Sequence, residues 1–154
     1  MSGFTHFNEA GAASMVDVGA KPATQRTARA RAFVKIRPDV LAALPENPKG
    51  NPLEIARVAG IQAAKRTSDL VPLCHPLPLT HVDVEAGVRE DGVLINATVS
   101  TVARTGVEME AMTAAAIAAL TVYDMCKALD KGIEIREIVL LEKTGGKSGS
   151  YRRG

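Results

Sequence analysis

Tryptophan is absent from this chain of 154 residues, and its aromatic side chains stop at Phe4, Phe7, Phe33, Tyr123 and Tyr151. A core without large rings has to be filled by small aliphatic side chains, which favours helices packed at short range over an aromatic-lined pocket. Thiols are nearly as scarce: Cys74 and Cys126 are the complete set. That excludes a disulfide framework and a four-thiolate metal site. An excess of one charge is missing too, because 19 basic against 17 acidic residues leave a net charge of +2, too little to mark a nucleic-acid binder. The sequence shows no repeat, low-complexity linker, signal-peptide pattern or apolar run of membrane-spanning length. It therefore reads as a single cytoplasmic domain over residues 1–154, with reduced thiols and no membrane partner.

What is present orders itself into an α+β pattern. Ala30, Ala32, Val34 and Ile36 alternate with Arg29, Arg31 and Lys35, which predicts a half-buried strand over 28–36. A short helix is expected over 37–44, then a Pro/Gly loop carrying Lys49. Asn51, Pro52 and Glu54 supply an N-cap, a first-turn proline and a capping-box acid for a helix reaching Ser68. Its apolar face is read as Ile55, Val58 and Ile61, with Ala59, Gly60, Ala63 and Ala64 allowing a neighbouring helix close. Two alternating runs, Val82 to Val88 and Val93 to Val99, flank an Asp91-Gly92 turn and predict an antiparallel hairpin. An alanine-rich helix from Thr105 to Lys131 and a last strand from Ile133 to Leu141 complete the series. Strand, helix, strand, strand, helix, strand is the split βαβ order of a ferredoxin-like sandwich, with two main helices on one face of an antiparallel sheet. The open face is assigned Asp83, Glu85, Asn96, Thr98 and Ser100, and Met15, Val16 and Val18 are read as a short extra strand.

The long helix carries the first chemical signal. Asp124 and Lys127, three residues apart, share a helix face and can share a proton or a ligand; a solvated surface pair is the bland alternative. Glu110 falls on the same side but about 21 Å away along the axis. Either the segment with Glu108 and Glu110 leaves the helix as a loop, or a second subunit completes each site. His75 sits in Pro72-Leu73-Cys74-His75-Pro76-Leu77-Pro78, where three prolines stiffen the connection and hold the imidazole in place as a proton donor or phosphate ligand. Zinc on Cys74 and His75 would lack two or three ligands. Lys143-Thr144-Gly145-Gly146-Lys147-Ser148-Gly149 fails as a P-loop, since Leu141 stands where the first glycine belongs and no helix follows. Flexible glycines beside lysines still make an anion nest, the alternative being a frayed polar tail.

Four segments in order are highly specific: Ala63-Ala64-Lys65-Arg66-Thr67, Leu70-Val71-Pro72-Leu73-Cys74-His75-Pro76-Leu77, Thr105-Gly106-Val107-Glu108-Met109-Glu110-Ala111 and Tyr123-Asp124-Met125-Cys126-Lys127-Ala128. With Thr5-His6, Met15-Val16-Asp17-Val18 and the glycine-rich tail, they make the chain resemble the MoaC family of molybdenum cofactor biosynthesis. Arg104 stands where that family typically has lysine, and Asn51 where it has aspartate. The resemblance implies a lyase that converts 3',8-cyclo-7,8-dihydro-GTP to cyclic pyranopterin monophosphate and releases diphosphate. It implies a homohexamer, a trimer of dimers, with sites between subunits. It assigns acid/base work to Asp124 and Lys127, substrate contacts to Leu73, Cys74, His75, Met109 and Glu110, and triphosphate neutralisation to Lys49, Lys65 and Lys147. No redox cofactor is expected, with magnesium travelling at most on the triphosphate. Lys127 is expected to need a lowered pKa to serve as a base. Two rivals remain at this stage. An RNA-binding sheet would require exposed aromatics that the assigned open face lacks, and a non-catalytic nucleotide-binding oligomer would share the fold.

Overall fold

A computed structural model describes residues 3–154. In chain order the elements are β1 (Thr24–Lys35), α1 (Pro38–Ala42), a 3-10 turn (Leu44–Glu46), α2 (Pro52–Lys65), α3 (Thr67–Leu70), β2 (Leu79–Arg89), β3 (Gly92–Ala103), α4 (Glu108–Cys126), β4 (Glu134–Thr144) and β5 (Tyr151–Arg152). The strands form one antiparallel sheet in the order β2-β3-β1-β4-β5. Its first four members are the expected ferredoxin-like set. The fifth is new: the tail folds back and pairs Tyr151 with Lys143 and Arg152 with Glu142.

β1 lies between β3 and β4 and governs the layering. Ala28, Ala30, Ala32 and Val34 point into the core, while Thr27, Arg29, Arg31 and Phe33 point to the opposite face, the period of two that the sequence displays. The strand starts four residues earlier than expected, and the extension carries Arg26 onto the buried face in phase with the alanines. The open face holds the acids and hydroxyls expected, with Arg29 bonded to Glu142 and Thr27 to Ser100. It also holds Phe33, whose ring is laid across Gly92.

The two main helices pack side by side on one face of the sheet, α4 over β1, β3 and β4 and α2 over β2, and their mutual contact is made of small residues. α2 buries Ala56, Gly60, Ala63 and Ala64, and α4 buries Ala111, Ala114, Ala115, Ala118 and Ala119. Ile55, Val58 and Ile61 are therefore not the core face of α2: Ile55 and Val58 are exposed and Ile61 only half-buried. The larger residues lose the inner position because the helices approach too closely to admit them. A Cβ at Gly60 would meet the Ala114 carbonyl oxygen at 2.9 Å and Ala118 Cβ at 3.2 Å. The N-cap behaves as expected, Asn51 accepting from the Leu53 and Glu54 amides, although Glu54 turns to Arg57 instead of completing the box. α2 then breaks at Arg66, and the remaining turn to Leu70 is a separate piece, α3.

α4 is shorter than expected at both ends, running from Glu108 to Cys126. Its length and composition would allow a membrane crossing, but its alanine stripe packs on α2 and on the sheet as a core helix does. Two further expectations change. The hairpin turn is Glu90-Asp91, not Asp91-Gly92, since Arg89 pairs with Gly92. Glycine is needed at 92 for another reason, because a Cβ there would overlap the Val34 carbonyl oxygen. Met15 to Val18 form no strand; the segment before β1 is held instead by the Phe7–Ala13 bridge and by the Asn8 side chain, which accepts from the Ala10 and Ala12 amides.

Gly60→Val is expected to lower unfolding stability by about 2–3 kcal/mol through overpacking of the α2–α4 contact. Urea denaturation measures this, and an unchanged midpoint would contradict the close approach.

Candidate functional site

The start of α4 is a first helical turn and not a loop, so Glu110 and Asp124 stand 14 residues apart on one continuous helix, about 21 Å along its axis. The expected site residues accordingly separate into groups at its two ends.

At the N-terminal end a cleft of about 310 Å³, large enough for a small ligand, is lined by Leu73, Cys74, His75, Met109 and Glu110. All five expected substrate contacts converge there. The proline-stiffened connection has no regular structure. It is fastened at both ends, by the Cys74 amide on the Val71 carbonyl at 3.1 Å and by Thr101 Oγ1 on the Pro78 carbonyl at 2.8 Å. Sequence reasoning missed the opposite wall, where Thr5, His6, Val16, Val18 and Lys21 close the cleft from the N-terminal segment. That segment is tied down by Arg104, whose Nη1 donates to the Gly19 carbonyl at 3.3 Å. The signal that could have found it was the presence of Thr5-His6 and Met15 to Val18 among the segments that carry the resemblance.

Electrostatics in this cleft favour neutral side chains. Glu110 is only 4% exposed, and burial, reinforced by the nearby Glu108 carboxylate and opposed by its own backbone hydrogen bond, pushes its pKa up to about 7. The Cys74 thiol is raised by burial and then by the Glu110 and Glu108 carboxylates. It is a protonated contact at neutral pH, not a thiolate nucleophile. No group of three His, Cys, Asp or Glu side chains able to hold a metal ion is found among the described residues.

At the other end, Lys127 Nζ donates to Asp124 Oδ1 at 2.7 Å. The hydrogen bond and charge of Lys127, followed by the charge of Lys49, hold the Asp124 carboxyl below its usual range. Lys127 is shifted upward by the same hydrogen bond, against the expectation of a lowered value. The physical reason is that its nearest partner is an anion and its nitrogen is open to water, so neither desolvation nor a second cation discharges it. In the single chain this end is an ionised pair with Lys49 beside it.

Lys65 and Lys147 join neither group within the chain. Lys65 ends α2 and lines a separate groove with His81, Leu77 and Leu79. Lys147 follows Gly145 and Gly146, whose φ values of +91° and +82° form the turn between β4 and β5. A Cβ on Gly146 would overlap the Arg26 guanidinium. Arg26 is 6% exposed and donates from Nε to the Ala103 carbonyl at 3.1 Å. It is the second feature missed, and its phase with Ala28 and Ala30 was the available signal.

The raised Glu110 pKa sets a pH dependence. A folded value of about 7 against an ordinary 4.5 means that the native state holds the extra proton between these limits. Its contribution is complete below pH about 4.5 and is lost as pH rises through about 7, up to roughly 3 kcal/mol. Glu110→Gln should flatten this fall, so that without ligand its stability exceeds that of the parent at pH 8 and not at pH 4. Urea titrations at the two pH values decide it, and parallel curves for the two proteins would contradict the burial argument.

Residues 15–146 match the model of the MoaC family. Curated relatives named cyclic pyranopterin monophosphate synthase include one from Thermomicrobium roseum, 56% identical over 99% of this chain and 95% of its own length. Another, from Geobacillus kaustophilus, is 54% identical over 99% of this chain and 98% of its own, and that of Peptoclostridium acidaminophilum is 50% identical over 97% of each. With the Cys74–His75 and Glu108–Glu110 sides of the cleft and the Asp124–Lys127 pair inside the matched residues, and these relatives covering nearly the whole chain, this chain belongs to the MoaC family.

Proposed function

We propose that the chain is a cyclic pyranopterin monophosphate synthase, a lyase of molybdenum cofactor biosynthesis that converts 3',8-cyclo-7,8-dihydro-GTP to cyclic pyranopterin monophosphate and diphosphate. The observation that carries the reading is the convergence of Leu73, Cys74, His75, Met109 and Glu110 on one cleft, in a chain 56% identical to a protein of that name over nearly its whole length.

The purine edge is read by Glu110. A buried carboxyl with a pKa of about 7 is a receptive partner for paired N–H donors, because binding them restores the hydrogen bonds that burial removed and favours the ionised form. His75, on its stiff connection, faces the same cleft as a proton donor or phosphate contact. Asp124 and Lys127 move protons as the imidazole part of the purine opens and the pterin ring closes. The ion pair keeps Lys127 protonated and Asp124 ionised at rest, so Lys127 enters the reaction as the acid and the Asp124 carboxylate as the base. Lys49, Lys65 and Lys147 neutralise the triphosphate and stabilise the departing diphosphate. Any magnesium arrives with that triphosphate, and the residues assigned here require no redox cofactor.

One chain leaves the two groups too far apart to hold one substrate, and this supports a site assembled between subunits of a trimer of dimers. The exposed apolar residues on the outer helix faces, Val58 at 53% and Leu120 at 52%, provide surface for such contacts. Unpaired Cys74 and Cys126 suit a cytoplasmic location.

Asp124→Asn should reduce product and diphosphate formation from the cyclised substrate by about 100-fold or more while leaving the oligomer intact. Rapid-quench product analysis with light scattering on the same sample tests it, and near-parental turnover would remove Asp124 from the mechanism. Substrate affinity of that variant should rise between pH 6 and 8 as Glu110 ionises, measurable by titration calorimetry. A flat profile would exclude Glu110 as the purine acceptor.

A further inference from the structure

The loop that carries Lys49 has no regular secondary structure beyond the 3-10 turn ending at Glu46, yet a single side chain organises it. Asn47 Oδ1 accepts the Lys49 amide at 2.9 Å, and the Asn47 carbonyl accepts the Gly50 amide at 3.1 Å. The reversal uses a left-handed Gly50, φ +110°, a conformation that side-chain-bearing residues rarely adopt. The other half of the same amide leaves the loop: Asn47 Nδ2 donates to the Met125 carbonyl at 2.6 Å. Met125 lies in the last turn of α4, one residue beyond Asp124 and two before Lys127, where carbonyls run out of helical partners.

From this geometry we infer that Asn47 is a positioning residue, a clamp that fastens the Lys49 loop to the C-terminal end of α4 and holds the Lys49 ammonium beside the Asp124–Lys127 pair. An amide does both jobs because it carries an acceptor and a donor on one short side chain. Alanine loses both hydrogen bonds. Aspartate keeps the acceptor for the Lys49 amide but turns a second oxygen toward the Met125 carbonyl. The inference rests on the proposed catalytic reading only for its effect on rate; the placement itself is independent of it.

Asn47→Ala and Asn47→Asp, each in the full-length protein, test the clamp. Both are expected to lower kcat by about 10- to 100-fold, the scale of a misplaced catalytic group. KM should stay within about threefold, because the purine and most phosphate contacts lie elsewhere. In Asn47→Ala at low ionic strength the Asp124 carboxyl, followed by carbon-detected NMR without substrate, should titrate at higher pH than in the parent, since the Lys49 charge has withdrawn. A thermal midpoint within about 3 °C of the parent would separate this from global unfolding, and should the alanine variant fail to fold, the aspartate variant carries the kinetic comparison. An unmoved Asp124 titration in Asn47→Ala overturns the clamp, and so does parental kcat in either variant when Asp124→Asn is impaired. If Asn47→Ala moves the titration while Asp124→Asn retains full activity, the clamp stands and the catalytic assignment of Asp124 falls.

Discussion

The close packing of α4 against α2 and β1 is the contact on which the rest of the molecule depends. Alanines from three elements meet there with Gly60, and the sheet contributes Val84, Val93, Ile95 and Val99. Small side chains lose little rotamer entropy on burial and let backbones approach closely. The same closeness makes the contact intolerant of added volume. An aromatic-poor composition is thus a structural requirement here: larger side chains would drive the helices apart and tilt α4. Both groups of candidate site residues ride on the ends of that one helix, so its seat on the sheet fixes their separation.

The two ends of α4 present contrasting environments. At its N-terminus, Glu110 is buried and titrates near neutrality, at about 7, and the positive end of the helix dipole favours its ionised form. At its C-terminus, Asp124 and Lys127 are roughly half exposed and hold each other ionised. A hydrogen-bonding receptor for a flat, donor-bearing edge suits the first environment, and a charged proton-transfer pair suits the second. The proposed substrate, which joins a purine to a triphosphate, asks for both, a demand that the proposed assembly would meet by bringing the start of one α4 to the end of another.

Much of the fold was legible in the chain because two periods are written plainly in it. The alternation around Ala30 to Ile36 and Val93 to Val99 named the core strands and their inward residues, and Asn51-Pro52 named the start of α2. Where the reading erred, a close approach overrode local preference. Ile55 and Val58 looked like a core face by hydropathy, yet Gly60 and its alanine neighbours took that place because only they fit under α4. Gly92 looked like a turn residue, yet it is spared a side chain for the sake of the Val34 carbonyl. The His6 segment escaped notice as a cleft wall because an irregular strap carries no period, and Arg26 because a charge at an inward position reads as the end of a strand although it keeps the phase of the alanines.

Sequence by itself determined the family, the split βαβ order and the identity of the side chains at the two ends of α4, since spacing along a helix and alternation along a strand are local properties of the chain. Tertiary structure alone decided which helix face is buried, that Glu110 is buried against a cleft closed by the N-terminal segment, and that Asn47 reaches across to the Met125 carbonyl. Those outcomes depend on distances between residues far apart in the chain, which burial and hydrogen-bond geometry set only after the layers have closed on one another.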